Sequence, residues 1–263
     1  MDLLDKIIAY KRSELEGKKK CSPVSKFEDS EFFKREMPSF HDALAELGPS
    51  IIAEFKRKSP SNGMININAE VEQVAREYEE VGITAMSILT DMEFFGGEDH
   101  DLRNVAGFVS IPLLRKDFIV DEYQVVESKS IGASAILLIA AVLSKKEVRT
   151  LTELSLNLGM DVLFEIHDEK DLEKMNQKIK IIGVNNRNLK TFEVSMDHSR
   201  ELFSCLPENC LKVAESGFQT YKDVIKLFTT GYNAFLIGGK FMRSKNPGKA
   251  AGRFMKVLKK SME

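Results

Sequence analysis

Eight short apolar runs, most of them stopping at a polar or charged residue, climb this chain at a roughly even pace. They are Ile51 to Lys56, Met86 to Thr90, Pro112 to Lys116, Ala135 to Ile139, Val162 to Glu165, Ile181 to Asn185, Leu211 to Ser216 and Ala234 to Gly238. Strands buried on both faces read as unbroken Val, Ile and Leu runs, so these eight predict parallel strands joined by crossovers. The expected fold is α/β, a (β/α)8 TIM barrel with a helical N-terminal extension. In such a barrel the C-terminal strand ends carry the chemistry, so the polar endings mark the candidate site.

Amphipathic helices with readable ends fall between the runs. Asn68 is placed to cap a helix with the stripe Val71, Val74, Ala75, Tyr78 and Val81, stopped by Gly82. Ser144 and Glu147 form a capping box ahead of Val148, Leu151 and Leu158, stopped by Gly159. Thr220 caps a third, with Val224, Ile225 and Phe228 inward and Gly231 at its end. Strict alternation of strand and helix implies right-handed βα units, and eight of them close a barrel. An open doubly wound sheet is the alternative, because pattern alone does not show closure.

Residues 1–48 stand outside this pattern. Leu3, Leu4, Ile7, Ile8 and Leu15 share one helical stripe, and Phe32, Phe33, Phe40, Leu44 and Leu47 suggest further helix around Pro38. This extension is expected to pack against one end of the barrel. The run Gly17-Lys18-Lys19-Lys20 reads as a solvated helix end rather than an anion patch. The 263 residues suit one barrel domain spanning 1–263.

Charge bounds the partners. With 38 Lys and Arg against 40 Asp and Glu there is no global footprint for nucleic acid or membrane, and any anion must be held locally. The acidic start lacks a secretory pattern and the longest apolar run, Ala133 to Leu143, is too short to span a bilayer, so a cytoplasmic protein is expected. Cys21, Cys205 and Cys210 are odd in number and unpaired in spacing, which argues against a disulfide framework or a zinc site.

Strand parity sharpens the site. Side chains alternate, so Glu54 and Lys56 share one face of the first strand and Asn185 and Arg187 one face of the sixth. If Ile52 points into the barrel, so do both charges of the first strand. A buried ion pair that only stabilises the barrel would account for one such pair. Lys116, Glu165 and Glu215 end other strands and would point at the same volume, which makes an acid/base site with an anion clamp. Glycines follow the seventh and eighth strands at Gly217, Gly238 and Gly239, with Lys240 just beyond, where barrels bind phosphate through bare backbone N–H groups. The loop Ser59-Pro60-Ser61-Asn62-Gly63 would also suit an anion.

Five segments together resemble the indole-3-glycerol phosphate synthase family. They are Ile52 to Gly63, Leu114 to Ile119, Phe164 to His167, Gly183 to Leu189 and Ala214 to Gly217, and the resemblance covers essentially the whole chain. It implies a lyase of tryptophan biosynthesis, free of metal and cofactor. Its small-molecule substrate would be 1-(2-carboxyphenylamino)-1-deoxyribulose 5-phosphate, converted to indole-3-glycerol phosphate, carbon dioxide and water.

The same resemblance assigns roles. Lys116 would be the general acid at the substrate's keto oxygen, and Glu165 would stabilise the cationic intermediate and move protons in the dehydration. Lys56 would contact the anionic substrate, with its step left open, and Glu54 would position and tune the lysines. Asn185, Glu215 and Ser216 would orient the ribulose hydroxyls, Arg187 would face the anthranilate carboxylate, and Phe95 and Phe118 would sandwich the aromatic ring. Gly217, Gly238 and Gly239 would face the phosphate, and Ser59 would be a further substrate-binding residue. Gly239 departs from the Ser or Glu that the family often has there, which removes a side-chain contact and leaves the backbone amides. His41, His100, His167 and His198 receive no metal or catalytic role.

A phosphoribosylanthranilate isomerase is a rival reading, against which the lysine of the third strand argues. A noncatalytic sugar-phosphate barrel is another. The chain does not fix its oligomeric state; a monomer is preferred, a dimer is the alternative, and a stand-alone enzyme is expected.

Overall fold

In the computed structural model, eight parallel strands close on themselves. They are β1 Ser50–Phe55, β2 Ala85–Leu89, β3 Leu113–Lys116, β4 Ala135–Ile139, β5 Asp161–Ile166, β6 Ile181–Asn185, β7 Leu211–Glu215 and β8 Ala234–Ile237. The structure describes residues 2–188, 191 and 193–263; Leu189, quoted among the motifs above, lies outside them. Each strand pairs with its neighbours in sequence, and β1 also pairs with β8, Ile52 lying opposite Leu236. That pairing excludes the open sheet.

Inward and outward residues sort as parity requires. Ile52, Leu114, Leu163, Ile181, Val213 and Leu236 form the barrel interior, whereas Ile51, Ala53, Ile136 and Phe164 pack outward against the helices. Both sets are buried, which is why the strands read as unbroken apolar runs.

The helices match their sequence signals with one shift. Ser144 and Thr220 cap Lys145–Asn157 and Tyr221–Phe228 through reciprocal bonds with Glu147 and Asp223. Gly82, Gly159 and Gly231 all take the left-handed conformation that stops a helix. Val71–Glu80, however, starts from Glu70 with no side-chain cap, not from Asn68. Asn68 lies within a turn in which Ala69 N–H donates to the Asn66 carbonyl at 3.4 Å, and this turn ends the loop after β1 before the helix begins.

The extension does not sit at one end of the barrel; it runs along one side from mouth to base. Helix α1, Leu3–Cys21, starts at the C-terminal mouth. Further down, Lys18 Nζ lies 2.7 Å from Asp99 and 3.2 Å from Glu127, and Lys19 Nζ 2.6 Å from Asp121. Lys18 and Lys19 therefore tie α1 to the barrel helices, while Lys19 and Lys20 stay exposed as a solvated helix end would. At the base, Phe40 and Leu44 of the short helix Phe40–Leu44 enter the barrel-interior cluster. His41 N–H donates to Asp161 at the start of β5 at 2.9 Å, fixing that plug. Leu47, expected in the apolar set, is fully exposed just after this helix. Aromatic and aliphatic side chains plug the base, and the pocket opens at the C-terminal end.

Candidate active site

The inward rows that begin with Leu114, Leu163, Ile181 and Val213 continue two or four residues later as Lys116, Glu165, Asn185 and Glu215. Glu54 continues the row of Ile52. Space for these charges comes from two glycines in the same layer. A Cβ at Gly183 would overlap the Glu215 carboxylate, and one at Gly238 would overlap that of Glu54.

Lys116 stands at the centre. Its Nζ lies 3.1 Å from Glu165 Oε2 and 3.5 Å from Glu215 Oε2. Asn185 Nδ2 donates to the other Glu165 oxygen at 3.3 Å, and Lys56 donates to Glu54. Both Glu165 and Glu215 are 1% exposed, so water screens neither. Burial opposes an ammonium, but the carboxylates of Glu165, Glu215 and Glu54 outweigh it and hold Lys116 above the usual lysine range. Burial likewise opposes the Glu165 anion, and the Lys116 ammonium overcomes it, keeping Glu165 below the usual range. Glu215 goes the other way, raised by burial and then by repulsion from Glu165. Neighbouring carboxyls pushed apart in this manner divide the work: one stays an anion and the other keeps its proton as a donor.

Past β7 and β8 the mouth becomes an anion pocket. Ser216 takes φ 69°, a left-handed backbone rare for a side chain with a Cβ, and Gly217 follows at φ 93°. Asn186, 3% exposed, helps hold this turn by donating to the Ser216 carbonyl at 3.2 Å. Gly217 has no room for a side chain, since a Cβ there would stand 2.8 Å from Val194. Gly238 and Gly239 open the short helix Gly239–Met242, and Arg187, Lys240 and Arg243 line the same pocket.

Arg243 was not among the residues singled out from sequence. Its guanidinium lies 3.8 Å from where a Gly239 Cβ would stand, and its Nη2 donates to Asn62 in the loop after β1 at 3.1 Å. An arginine one helical turn beyond the Gly-Gly pair was the available signal.

The other half of the mouth is apolar. Phe95 and Phe118 face each other with ring centroids 6.1 Å apart at 42°, and Ser59 is buried at its edge. Leu3, Leu4 and Ile7 of α1 roof this cavity. Their stripe was visible in sequence, but periodicity identifies a face and not what the face meets. His167, given no role, has Nε2 3.5 Å from Glu165 Oε1, and neither ring nitrogen makes a hydrogen bond among the described residues. The structure thus brings Glu54, Lys56, Ser59, Phe95, Lys116, Phe118, Glu165, Asn185, Arg187, Glu215, Ser216, Gly217, Gly238 and Gly239 around one opening.

A closed barrel whose open end pairs buried lysines with carboxylates beside a bare-backbone anion pocket belongs to the (β/α)8 enzymes that move protons on an anionic substrate. Solved structures agree on the fold. A mutant tryptophan synthase alpha-subunit from Pyrococcus furiosus superposes with a TM-score of 0.61 at 12% identity, over 80% of this chain and 98% of that one. Tryptophan synthase subunit alpha from Legionella pneumophila gives 0.60 at 10% identity, over 84% and 97%. Sequence comparison is more specific: residues 4–254 match the family model for indole-3-glycerol phosphate synthase. The synthase of Bacteroides thetaiotaomicron is 42% identical over 98% of this chain and 99% of its own length. That of Thermoanaerobacter pseudethanolicus is 43% identical over 92% of each. The chain belongs to the indole-3-glycerol phosphate synthase family, carboxy-lyases of tryptophan biosynthesis.

Proposed function

We propose that this mouth closes, decarboxylates and dehydrates 1-(2-carboxyphenylamino)-1-deoxyribulose 5-phosphate to indole-3-glycerol phosphate. The observation that carries the mechanism is Lys116 Nζ held between Glu165 and Glu215 at the strand ends. The aryl ring packs against Phe95 and Phe118 under the α1 roof, beside Ser59, the two rings standing too close together to sandwich it, and the phosphate lies against the amides of Gly217, Gly238 and Gly239. Arg243 adds a positive charge there.

As the ring carbon bearing the carboxylate bonds to the keto carbon, Lys116 donates a proton to the keto oxygen, so no alkoxide has to form. Carbon dioxide then leaves with the electron pair returning to the ring. Arg187 faces the carboxylate that is lost. In the last stage the new hydroxyl departs as water and a proton leaves the carbon next to nitrogen. Glu165, the anionic carboxylate, stabilises the cation that precedes this loss and accepts that proton. Lys56 contacts the substrate's anionic groups, Glu54 orients Lys56, and Asn185, protonated Glu215 and Ser216 hold the ribulose hydroxyls.

The test is to supply the substrate and follow indole fluorescence together with carbon dioxide release; the chain has no Trp, so no protein indole adds to the signal. Isomerisation without carbon dioxide, or binding without turnover, would overturn the reading. The same reading takes the protein to be a cytoplasmic monomer of one domain, and elution larger than a dimer on size exclusion would count against it. Among the described residues, no helix is long and apolar enough to cross a membrane.

A further inference from the structure

Among the buried cations that the mechanism leaves unused, one reaches toward the site. Lys11 of α1 is 3% exposed, and its Nζ lies 2.9 Å from Asp91, 3.1 Å from Asp117 and 2.9 Å from Glu14. Asp91 and Asp117 are themselves buried, at 1% and 4% exposure, and they follow the ends of β2 and β3. A lysine stem this deep is uncommon, and its ammonium is tolerable because three carboxylates meet it, two of them buried.

What each partner does next is the informative part. Asp91 Oδ1 accepts from Phe94 N–H at 2.8 Å, capping the turn Met92–Phe95 that presents Phe95. Asp117 directly follows Lys116, and its Oδ1 accepts from Phe118 N–H at 2.8 Å. Its Oδ2 accepts from Thr90 at 2.7 Å and from the buried Arg115 at 3.3 Å. On α1, Lys11 lies one turn after Ile7 and two after Leu4, on the face that roofs the cavity. One ammonium therefore joins the roof to the two backbone segments that carry the facing phenylalanines.

We infer that Lys11 is a positioning residue for the aryl half of the site, setting the roof, Phe95 and Phe118 in register with Lys116. This rests on the reading of Phe95 and Phe118 as the aryl slot. The charge balance supports it: burial opposes the Lys11 ammonium, yet Asp117 and Asp91 hold it above the usual lysine range. A mere fastener for the extension would affect both ends of the substrate alike through general loosening. A positioning residue affects the aryl end alone.

The experiment compares Lys11→Gln with the unsubstituted enzyme, measuring kcat, KM and competitive inhibition by anthranilate, which probes the aryl slot, and by inorganic phosphate, which probes the anion pocket. The expected result is a KM raised about tenfold and anthranilate binding weakened to match, with phosphate inhibition within about twofold; a misplacement of about 1 Å near reacting groups can cost up to about 10²-fold. Unchanged anthranilate binding, or parallel loss at both ends, overturns the inference. Should Lys11→Gln not fold, Asp91→Asn keeps an acceptor for Phe94 N–H while removing one charge, and the same selective loss is expected from it. Phe118→Ala separates the two readings. If it leaves anthranilate binding intact, the aryl slot is wrong; if it weakens binding while Lys11→Gln does not, only the role of Lys11 fails.

Discussion

The Lys116 ammonium and the Glu165 carboxylate stand 3.1 Å apart at the ends of β3 and β5, buried and facing the same opening. Lys116→Ala removes the proton donor for ring closure and leaves the buried Glu165 without its ammonium partner. Turnover should fall by about 10² to 10⁴, the usual worth of a general acid, with the circular dichroism spectrum unchanged. A folded variant within a few-fold of wild type would remove Lys116 from the mechanism.

Glu165→Gln keeps shape and the Asn185 contact but loses the charge. Turnover is expected to drop by a comparable factor while the dissociation constant for product stays within a few-fold. Steady-state rates and product titration check this together; equal losses in both would make Glu165 a binding group only.

Two buried carboxyls give stability opposite slopes with pH. Burial and repulsion from Glu165 raise the folded-state Glu215 from the ordinary 4.5 to about 8. Its native form then binds a proton that the unfolded chain releases, so this contribution is complete below about pH 4.5 and is lost as pH rises toward about 8. Asp117 is the reverse case. Burial opposes its charge, but Lys11 and Arg115 lower it from 3.8 to about 2, so its contribution is present above the ordinary Asp range and is lost as pH falls toward about 2. Urea midpoints measured across pH should show both limbs, and Glu215→Gln should flatten the upper one. An upper limb unchanged by that substitution would contradict the assignment.

Ser216 holds φ 69° at the price of strain. Ser216→Gly relieves a left-handed backbone worth about 1 kcal/mol and removes a hydroxyl from the site. The variant should unfold at higher denaturant yet show a lower kcat/KM. A loss of stability would mean that the turn is not strained.

The acid/base groups of this site are ammonium and carboxylate side chains, and no step proposed for it uses a Lewis acid. Dialysis against EDTA is therefore expected to leave indole formation unchanged in metal-free buffer. Activity lost on chelation and restored by Mg²⁺, Mn²⁺ or Zn²⁺ would overturn this.

Much of the barrel was legible because local rules dictate it. Burial on both faces makes each strand an unbroken apolar run, and an alternation of two residues fixes that Glu54 follows Ile52 inward and Lys116 follows Leu114. The charged strand endings thus announced the site, and glycines after β7 and β8 announced its anion end. Tertiary structure alone decided what those rules leave free. Asn68 looked like a cap until the turn after β1 took it, and Lys18 and Lys19 of α1 had no visible partners until Asp99, Glu127 and Asp121 met them from far along the chain. Lys11 meeting Asp91 and Asp117, Arg243 over Gly239, and His167 beside Glu165 are likewise encounters between separate segments. Periodicity reports which face of an element is apolar or charged; which other element covers that face depends on how the closed barrel and its wrapped extension pack in three dimensions.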